Sequence, residues 1–380
     1  MKIIFYCQHV LGLGHFFRTR EICEKLKDHD VILVSGGERP DLPLPDHVRE
    51  VRLSGLMMDE DFKNMFSTEK GNEIETVKKE RQKMLFQLFE EISPDVFMIE
   101  LYPFGRKAFR FELDPILDRI HEGSLPPCQV VCSLRDVLVE KTDAEKYENR
   151  VIHLLNCYFD AVLVHSDPDF LKLDATFSRR EDISSSVVYT GFVTPKPDPG
   201  SGDALRTKLG VGDDEYFLVA SAGGGKVGGE VLAAVVRAFA YLPKGCRLQV
   251  LTGPFLDDGA FSELKSFERP GIRVDRFTPD FLAFLDAADL SVSMAGYNTS
   301  MNIMAAGTPA LVWPFAQNRE QRLRAERLAR LGGLQILSNK DLDPKQLAGI
   351  MTRMLMKKKR PAENIDLNGA ENTAAWIAEL

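Results

Sequence analysis

The stretch Ser291-Val-Ser-Met-Ala-Gly-Tyr-Asn-Thr-Ser-Met-Asn-Ile-Met-Ala-Ala-Gly307 decides how the chain is read. A short apolar segment runs into Gly296-Tyr297-Asn298-Thr299-Ser300, and helical patterning follows. Such a strand, turn and helix can form an anion site. Glycine admits close backbone approach, Asn, Thr and Ser cap a helix, and the first N–H groups of the helix favour negative charge. A nucleoside diphosphate fits this turn. The same residues also read as an ordinary unit of an α/β protein with no ligand at all. The helix is expected to stop at Gly307, and Thr308-Pro-Ala-Leu-Val-Trp313 opens another strand.

Outward from this stretch the alternation of strand and helix recurs along the chain. In the first part, 2–7 is a β-rich apolar run, a glycine loop follows, and 16–26 has helical periodicity; 31–35 is a second buried strand that stops at Gly36-Gly37. This is a β-α-β unit, which in one sheet is parallel and right-handed. A third buried strand, 95–100, ends in Glu100, at the edge where open α/β sheets bind ligands. Further strands are expected at 129–134, 161–165 and 187–189. Residues 38–66 read as irregular apart from a strand at 48–53, and 76–92 as a long amphipathic helix.

Composition shifts at 194–202, with three prolines and two glycines in nine residues and no apolar periodicity, which marks a linker. The alternation then restarts: a strand at 216–221, the glycine loop Gly223-Gly224-Gly225-Lys226, a helix at 229–241, strands at 247–251 and 272–277, a helix at 281–287 and a strand at 290–293. Two Rossmann-like domains follow from this pattern, 1–193 and 203–365, with a C-terminal helix in 366–380 packing back on the first. At 380 residues the chain exceeds what one core serves, in keeping with two domains. The run Lys357-Lys-Lys-Arg360 reads as a solvated helix cap that suits the dipole, or as a contact for anionic lipid or substrate.

Composition also excludes function classes. Hydrophobic residues at 44%, charged residues at 27% and 24 Phe supply large cores and argue against extended disorder. A net charge of −8 gives no electrostatic footprint for nucleic acid, so no nucleic-acid partner is expected. The six cysteines, at 7, 23, 128, 132, 157 and 246, contain no C-x-x-C pair and read as free thiols in a reducing compartment. The apolar run at the start is too short for a signal peptide, and no run of about 18 apolar residues occurs. A soluble, cytoplasmic protein is expected, with peripheral membrane contact left open.

Several motifs now stand together. They are Arg273-Val-Asp-Arg-Phe277-Thr-Pro-Asp, the Gly-Tyr-Asn-Thr turn, Ala305-Ala-Gly-Thr-Pro-Ala310, Pro314-Phe-Ala-Gln-Asn-Arg-Glu-Gln321, and Gly12-Leu-Gly-His15-Phe-Phe-Arg18. With them the chain resembles GT-B glycosyltransferases, and most of all the family of the UDP-N-acetylglucosamine transferase of lipid II synthesis. The outline spans nearly the whole length. The specific motifs lie in the first 30 residues and in 270–335.

The resemblance implies a GT-B fold, two Rossmann-like domains with parallel sheets facing across a cleft, an amino-terminal acceptor domain and a carboxy-terminal donor domain. It implies a nucleotide-diphosphate sugar donor, UDP-sugar favoured, and an acceptor that is a small molecule or a lipid-linked hydroxyl. Phe277 then packs against the base, Gly296, Tyr297, Asn298 and Thr299 hold the diphosphate, and Gln317 to Gln321 reach the sugar. Gly223, Gly224, Gly225 and Lys226 lie over the donor phosphates. Asn302 stands where the family usually has an acidic residue that grips the ribose. A charged acceptor bonds about twice as strongly as an amide, so weaker donor binding or an inactive, accessory homologue both follow from this departure.

On the acceptor side, Gly12, Gly14, Arg18 and Arg106 are expected to line the site. His15 has the pKa range to deprotonate the attacking hydroxyl, or it hydrogen-bonds a substrate. Glu100 orients that imidazole or is itself the base, and Asp136 is the other candidate. The segment 104–111, with Arg106, Lys107 and Arg110, faces an anionic acceptor or membrane, or packs as a helix; the apolar cluster at 56–66 belongs to the same patch. No Walker A pattern, D-x-D or metal-spaced cluster occurs, so transfer without metal or cofactor is expected; inversion is implied by the resemblance alone. Two other readings are a UDP-sugar 2-epimerase and a non-catalytic nucleotide-sugar-binding partner. An NAD dehydrogenase fits poorly, because Gly12-Leu-Gly-His lacks the third glycine and no acidic residue closes the strand at Val34-Ser35.

Overall fold

The structure is a computed structural model that describes residues 1–8, 14–37, 43–58, 64–68, 73–138, 143–315, 319–359 and 364–380. These form two compact units, Met1–Val193 with Asp366–Leu380, and Thr194–Ile365.

The first unit contains β1 (Lys2–Gln8), α1 (Gly14–Lys25), β2 (Asp30–Gly36), β3 (Val48–Arg52), β4 (Leu56–Met58), β5 (Met65–Ser67), α2 (Ile74–Ile92), β6 (Val96–Glu100), α3 (Arg110–His121), β7 (Gln129–Arg135), α4 (Ala144–Tyr158), β8 (Ala161–His165) and β9 (Ser186–Tyr189). Seven strands make one parallel sheet in the order β3-β2-β1-β6-β7-β8-β9. Its central strands are near-continuous apolar runs because helices cover both faces. The order reverses between β1 and β6, the position in an open α/β sheet at whose carboxyl ends ligands bind.

The C-terminal helix Gly369–Ala378 belongs to this unit and lies against α1, with Ala370 and Ile377 joining the core of Ile22, Cys23 and Leu26. Asp366 anchors the return: its carbonyl accepts from Phe192 N and its own N–H donates to Asp167 Oδ2, both at 2.8 Å. Gly191 is required beneath it. Its φ is +85°, and a Cβ there would fall 2.6 Å from the Asp366 carboxyl.

The second unit contains α5 (Ser201–Leu209), β10 (Tyr216–Ser221), α6 (Gly229–Ala238), β11 (Cys246–Leu251), α7 (Asp258–Lys265), β12 (Ile272–Asp275), α8 (Phe281–Ala287), β13 (Leu290–Met294), α9 (Tyr297–Ala306), β14 (Ala310–Trp313), α10 (Arg319–Arg330), β15 (Leu334–Ile336) and α11 (Pro344–Leu355). Six strands form a parallel sheet in the order β12-β11-β10-β13-β14-β15, with its reversal between β10 and β13.

Some boundaries differ from the sequence pattern for identifiable reasons. Ser201 and Gly202, within the Pro/Gly-rich stretch, already start α5, where Gly202 N donates to Asp286 Oδ2 at 2.8 Å. The strand expected to reach 277 stops at Asp275, opposite Leu251, where its neighbour β11 also ends. Residues 56–58 and 65–67 pair as an antiparallel hairpin where irregular chain was expected.

The six cysteines are free, and Cys157 is exposed. Among the described residues no helix is long and apolar enough to cross a membrane, and no group of three His, Cys, Asp or Glu could hold a metal ion.

Candidate active site

In the second unit the loops after β10 and β13 meet at the switch point. Gly296 is the N-cap of α9 at φ −64°, ψ 154°, an ordinary extended conformation, and as a glycine it has no side chain with which to cap the helix. A Cβ on Gly296 would have no atom within 4 Å. Among the described residues nothing therefore requires glycine here; it leaves space before a helix N-terminus, where an anion is favoured. Next to it, a Cβ on Gly223 would lie 3.8 Å from Thr299 Oγ1, which sets the first glycine loop beside the Gly-Tyr-Asn-Thr turn.

The loop after β11 closes against the glycine loop. Phe255 N donates to Gly224 O at 2.9 Å, and a Cβ on Gly253 would fall 2.5 Å from Gly224 C and Gly225 N. Only glycine at 253, with φ +87°, permits that approach. Four buried hydroxyls on β10, β13 and α9, those of Ser221, Ser291, Ser293 and Ser300, have no hydrogen-bond partner among the described residues. Ser221 and Ser293 are register partners on the strands that flank the switch point.

The remaining donor-side residues are placed as follows. Gly224 and Lys226 are exposed, and Phe277 is 43% exposed just past β12. Gln321 Oε1 accepts from Phe315 N at 3.1 Å, which ties α10 to the end of β14; Gln317 lies outside the described residues. Asn302, half-buried on α9, accepts at Oδ1 from Thr194 Oγ1 at 2.8 Å.

In the first unit the switch point brings α1 to the end of β6. Glu100 is fully buried and receives three cationic or imidazole groups. His15 Nδ1 lies 2.5 Å from Oε1, Arg18 Nη2 lies 2.5 Å from the same oxygen, and Arg106 Nη2 lies 3.4 Å from Oε2. Burial alone would raise the Glu100 carboxyl, but His15 and the guanidiniums of Arg106 and Arg18 overcome it and hold the group well below the usual carboxylate range. Burial lowers the His15 imidazole, Glu100 pulls the other way, and Arg106 and Arg18 add to the lowering. A neutral imidazole donates from Nδ1 to the carboxylate and keeps a lone pair on Nε2, with the side chain 21% exposed. Such a pair can take a proton.

Arg18 and Arg106, expected along the acceptor, both turn onto Glu100. Gly14 opens α1 and is exposed, Gly12 lies outside the described residues, and Asp136 is fully buried just past β7. In the segment 104–111, Phe104 and Phe109 are core residues, Phe111 is half-buried, and Lys107, Ala108 and Arg110 are exposed, so Phe104 and Phe109 serve packing. On the β4–β5 hairpin Leu56 and Met58 are buried while Phe66 is 47% exposed.

A buried row that the sequence did not reveal continues across the sheet. Ser133 Oγ lies 2.7 Å from His165 Nε2, and His165 Nδ1 lies 2.8 Å from Thr190 Oγ1. Thr190 Oγ1 also lies 3.3 Å from Gly191 O, so it accepts from His165 Nδ1–H while Ser133 donates to Nε2. No spacing motif links these residues; strand order does.

Two doubly wound parallel sheets, each with a reversal of strand order between neighbouring strands, define the GT-B class of α/β fold. Residues 231–380 match the glycosyltransferase family 28 C-terminal domain. The chain resembles the UDP-N-acetylglucosamine–N-acetylmuramyl-(pentapeptide) pyrophosphoryl-undecaprenol N-acetylglucosamine transferase of Acidiphilium cryptum, with 30% identity over 164 residues, 41% of this chain and 45% of that one. The chain spans about half the length of the first curated relatives it matches. Its fold is that of TcCGT1 in complex with UDP, at a TM-score of 0.66, 13% identity and coverage of 100% and 98% of the two chains. It is also that of Acinetobacter baumannii MurG, at a TM-score of 0.58, 14% identity and full coverage of both.

Proposed function

We propose that this chain is a glycosyltransferase that moves a sugar from a nucleoside-diphosphate sugar, UDP-sugar favoured, to an acceptor hydroxyl. The observation that carries this reading is the N-terminus of α9 behind Gly296, a glycine that no described residue requires, within the region matched by the family 28 domain. The diphosphate would sit at that N-terminus with Gly223, Gly224, Gly225, Tyr297, Asn298 and Thr299 around it, Lys226 nearby, Phe277 against the base, and Gln317, Gln321 and Asn302 toward the sugars.

In this reading the acceptor oxygen attacks C1 of the sugar. The bond from C1 to the phosphate oxygen breaks, and its electron pair leaves with the nucleoside diphosphate. His15 Nε2 takes the acceptor proton, and ionised Glu100 stabilises the imidazolium that forms. Arg18 and Arg106 keep Glu100 ionised. Direct displacement inverts the anomeric carbon, and the helix N-terminus with Lys226 offsets charge on the leaving group in place of a metal ion.

The acceptor is a small molecule or a lipid-linked hydroxyl. The Acidiphilium relative, as its name states, acts on a pyrophosphoryl-undecaprenol-linked sugar, and such an acceptor would bring the chain to a membrane surface from the cytoplasm. Nucleotide release from UDP-, GDP- and dTDP-sugars, followed by mass spectrometry with soluble and lipid-linked acceptors, tests the reading. Turnover that persists in excess EDTA with an inverted product is expected. A chain that binds a nucleotide sugar but neither transfers nor hydrolyses it would leave a binding protein in place of an enzyme.

A further inference from the structure

Gly296 leaves the donor turn without a side-chain cap, and glycine is the residue with the most backbone freedom. Arg324, on α10, is 1% exposed and reaches both sides of the glycine. Its Nη1 donates to Ala295 O at 3.3 Å, and its guanidinium carbon lies 5.4 Å from the centroid of the Tyr297 ring. Ala295 ends the approach from β13 and Tyr297 is the first residue of α9. One planar group thus grips the residue before and the residue after the open N-cap.

We propose that Arg324 is the positioning residue for the diphosphate of the donor, an inference that rests on the donor reading above. It does not touch the ligand. It acts in two ways through the turn. The stacked guanidinium fixes where Tyr297 stands, and so the direction in which the first α9 N–H groups point. Its buried positive charge also lies behind a helix N-terminus, so that both fields favour the same anion, and a charge withdrawn from water is poorly screened. The ligand feature it serves is therefore the diphosphate, and the nucleoside part of the donor lies outside its reach. A lysine could supply charge but not the flat fork that spans Ala295 and Tyr297.

The test is calorimetric titration of the full chain with UDP and dTDP, and with uridine and thymidine, in the wild type, Arg324→Met and Arg324→Lys. Methionine replaces the volume without charge. Arg324→Met should weaken nucleoside diphosphate binding about tenfold or more while nucleoside binding changes by less than about twofold, and Arg324→Lys should fall between. If Arg324→Met fails to fold, Arg324→Lys carries the comparison, with selective weakening of the diphosphate still expected. Equal weakening of nucleoside and nucleoside diphosphate, or no weakening of either, overturns this inference while the donor reading stands. A wild-type chain that binds no nucleoside diphosphate overturns both.

Discussion

His15 Nδ1 stands 2.5 Å from Glu100 Oε1, 85 positions apart in the chain, because β6 lies directly beside β1. The carboxylate fixes the imidazole tautomer and would stabilise the protonated form, so the two act as one unit. Glu100→Gln keeps the volume but removes the charge. Turnover should fall by about 100-fold or more, and His15→Ala should fall similarly, with the double variant no worse than either. UDP affinity, measured by calorimetry, should be unchanged in all three. Additive losses would separate the residues.

Gly296 offers a test in which stability and binding move apart. Serine is among the best N-caps, the backbone there is already extended, and a Cβ meets nothing within 4 Å. Gly296→Ser should melt at the wild-type temperature or above it. Its UDP affinity should nonetheless drop about tenfold, as the side chain fills the space kept for phosphate. A variant that binds UDP as the wild type does would remove the turn from the donor site.

His165 sets a pH dependence of stability. Burial first, and the Arg18 guanidinium second, lower its imidazole from 6.5 to about 3. Between those values the unfolded chain binds the proton and the folded chain does not. The contribution of neutral His165 is therefore complete above pH 6.5 and is lost as pH falls toward 3. Thermal melts from pH 7.5 to 4 should show a falling midpoint. His165→Gln should start lower and fall less steeply, and an unchanged slope would mean that other groups dominate.

Asn302 carries a further expectation. Its Oδ1 already accepts from Thr194 Oγ1, and a carboxylate at that position would keep this bond and have a second, charged oxygen for a ribose hydroxyl. Asn302→Asp should tighten UDP binding by about threefold or more. An unchanged or weaker affinity would show that the ribose does not reach this residue.

The elements were legible because their causes are local. Parallel strands buried on both faces appear as apolar runs at 2–7, 95–100 and 290–293, and the Gly-Tyr-Asn-Thr turn announces a helix start wherever it falls. Pairing across strands is not local. Arg18 on α1 and Arg106 after β6 end on one carboxylate, Ser133, His165 and Thr190 line up from β7, β8 and the end of β9, and Arg324 from α10 comes to rest against Tyr297. Each meeting depends on which strand was inserted beside which, and periodicity along a chain carries no record of that choice. The Gly296 turn could be found from its residues; that no described residue fills the space before it, and that Arg324 reaches Ala295 and Tyr297 on either side of it, are consequences of packing between segments far apart in the chain.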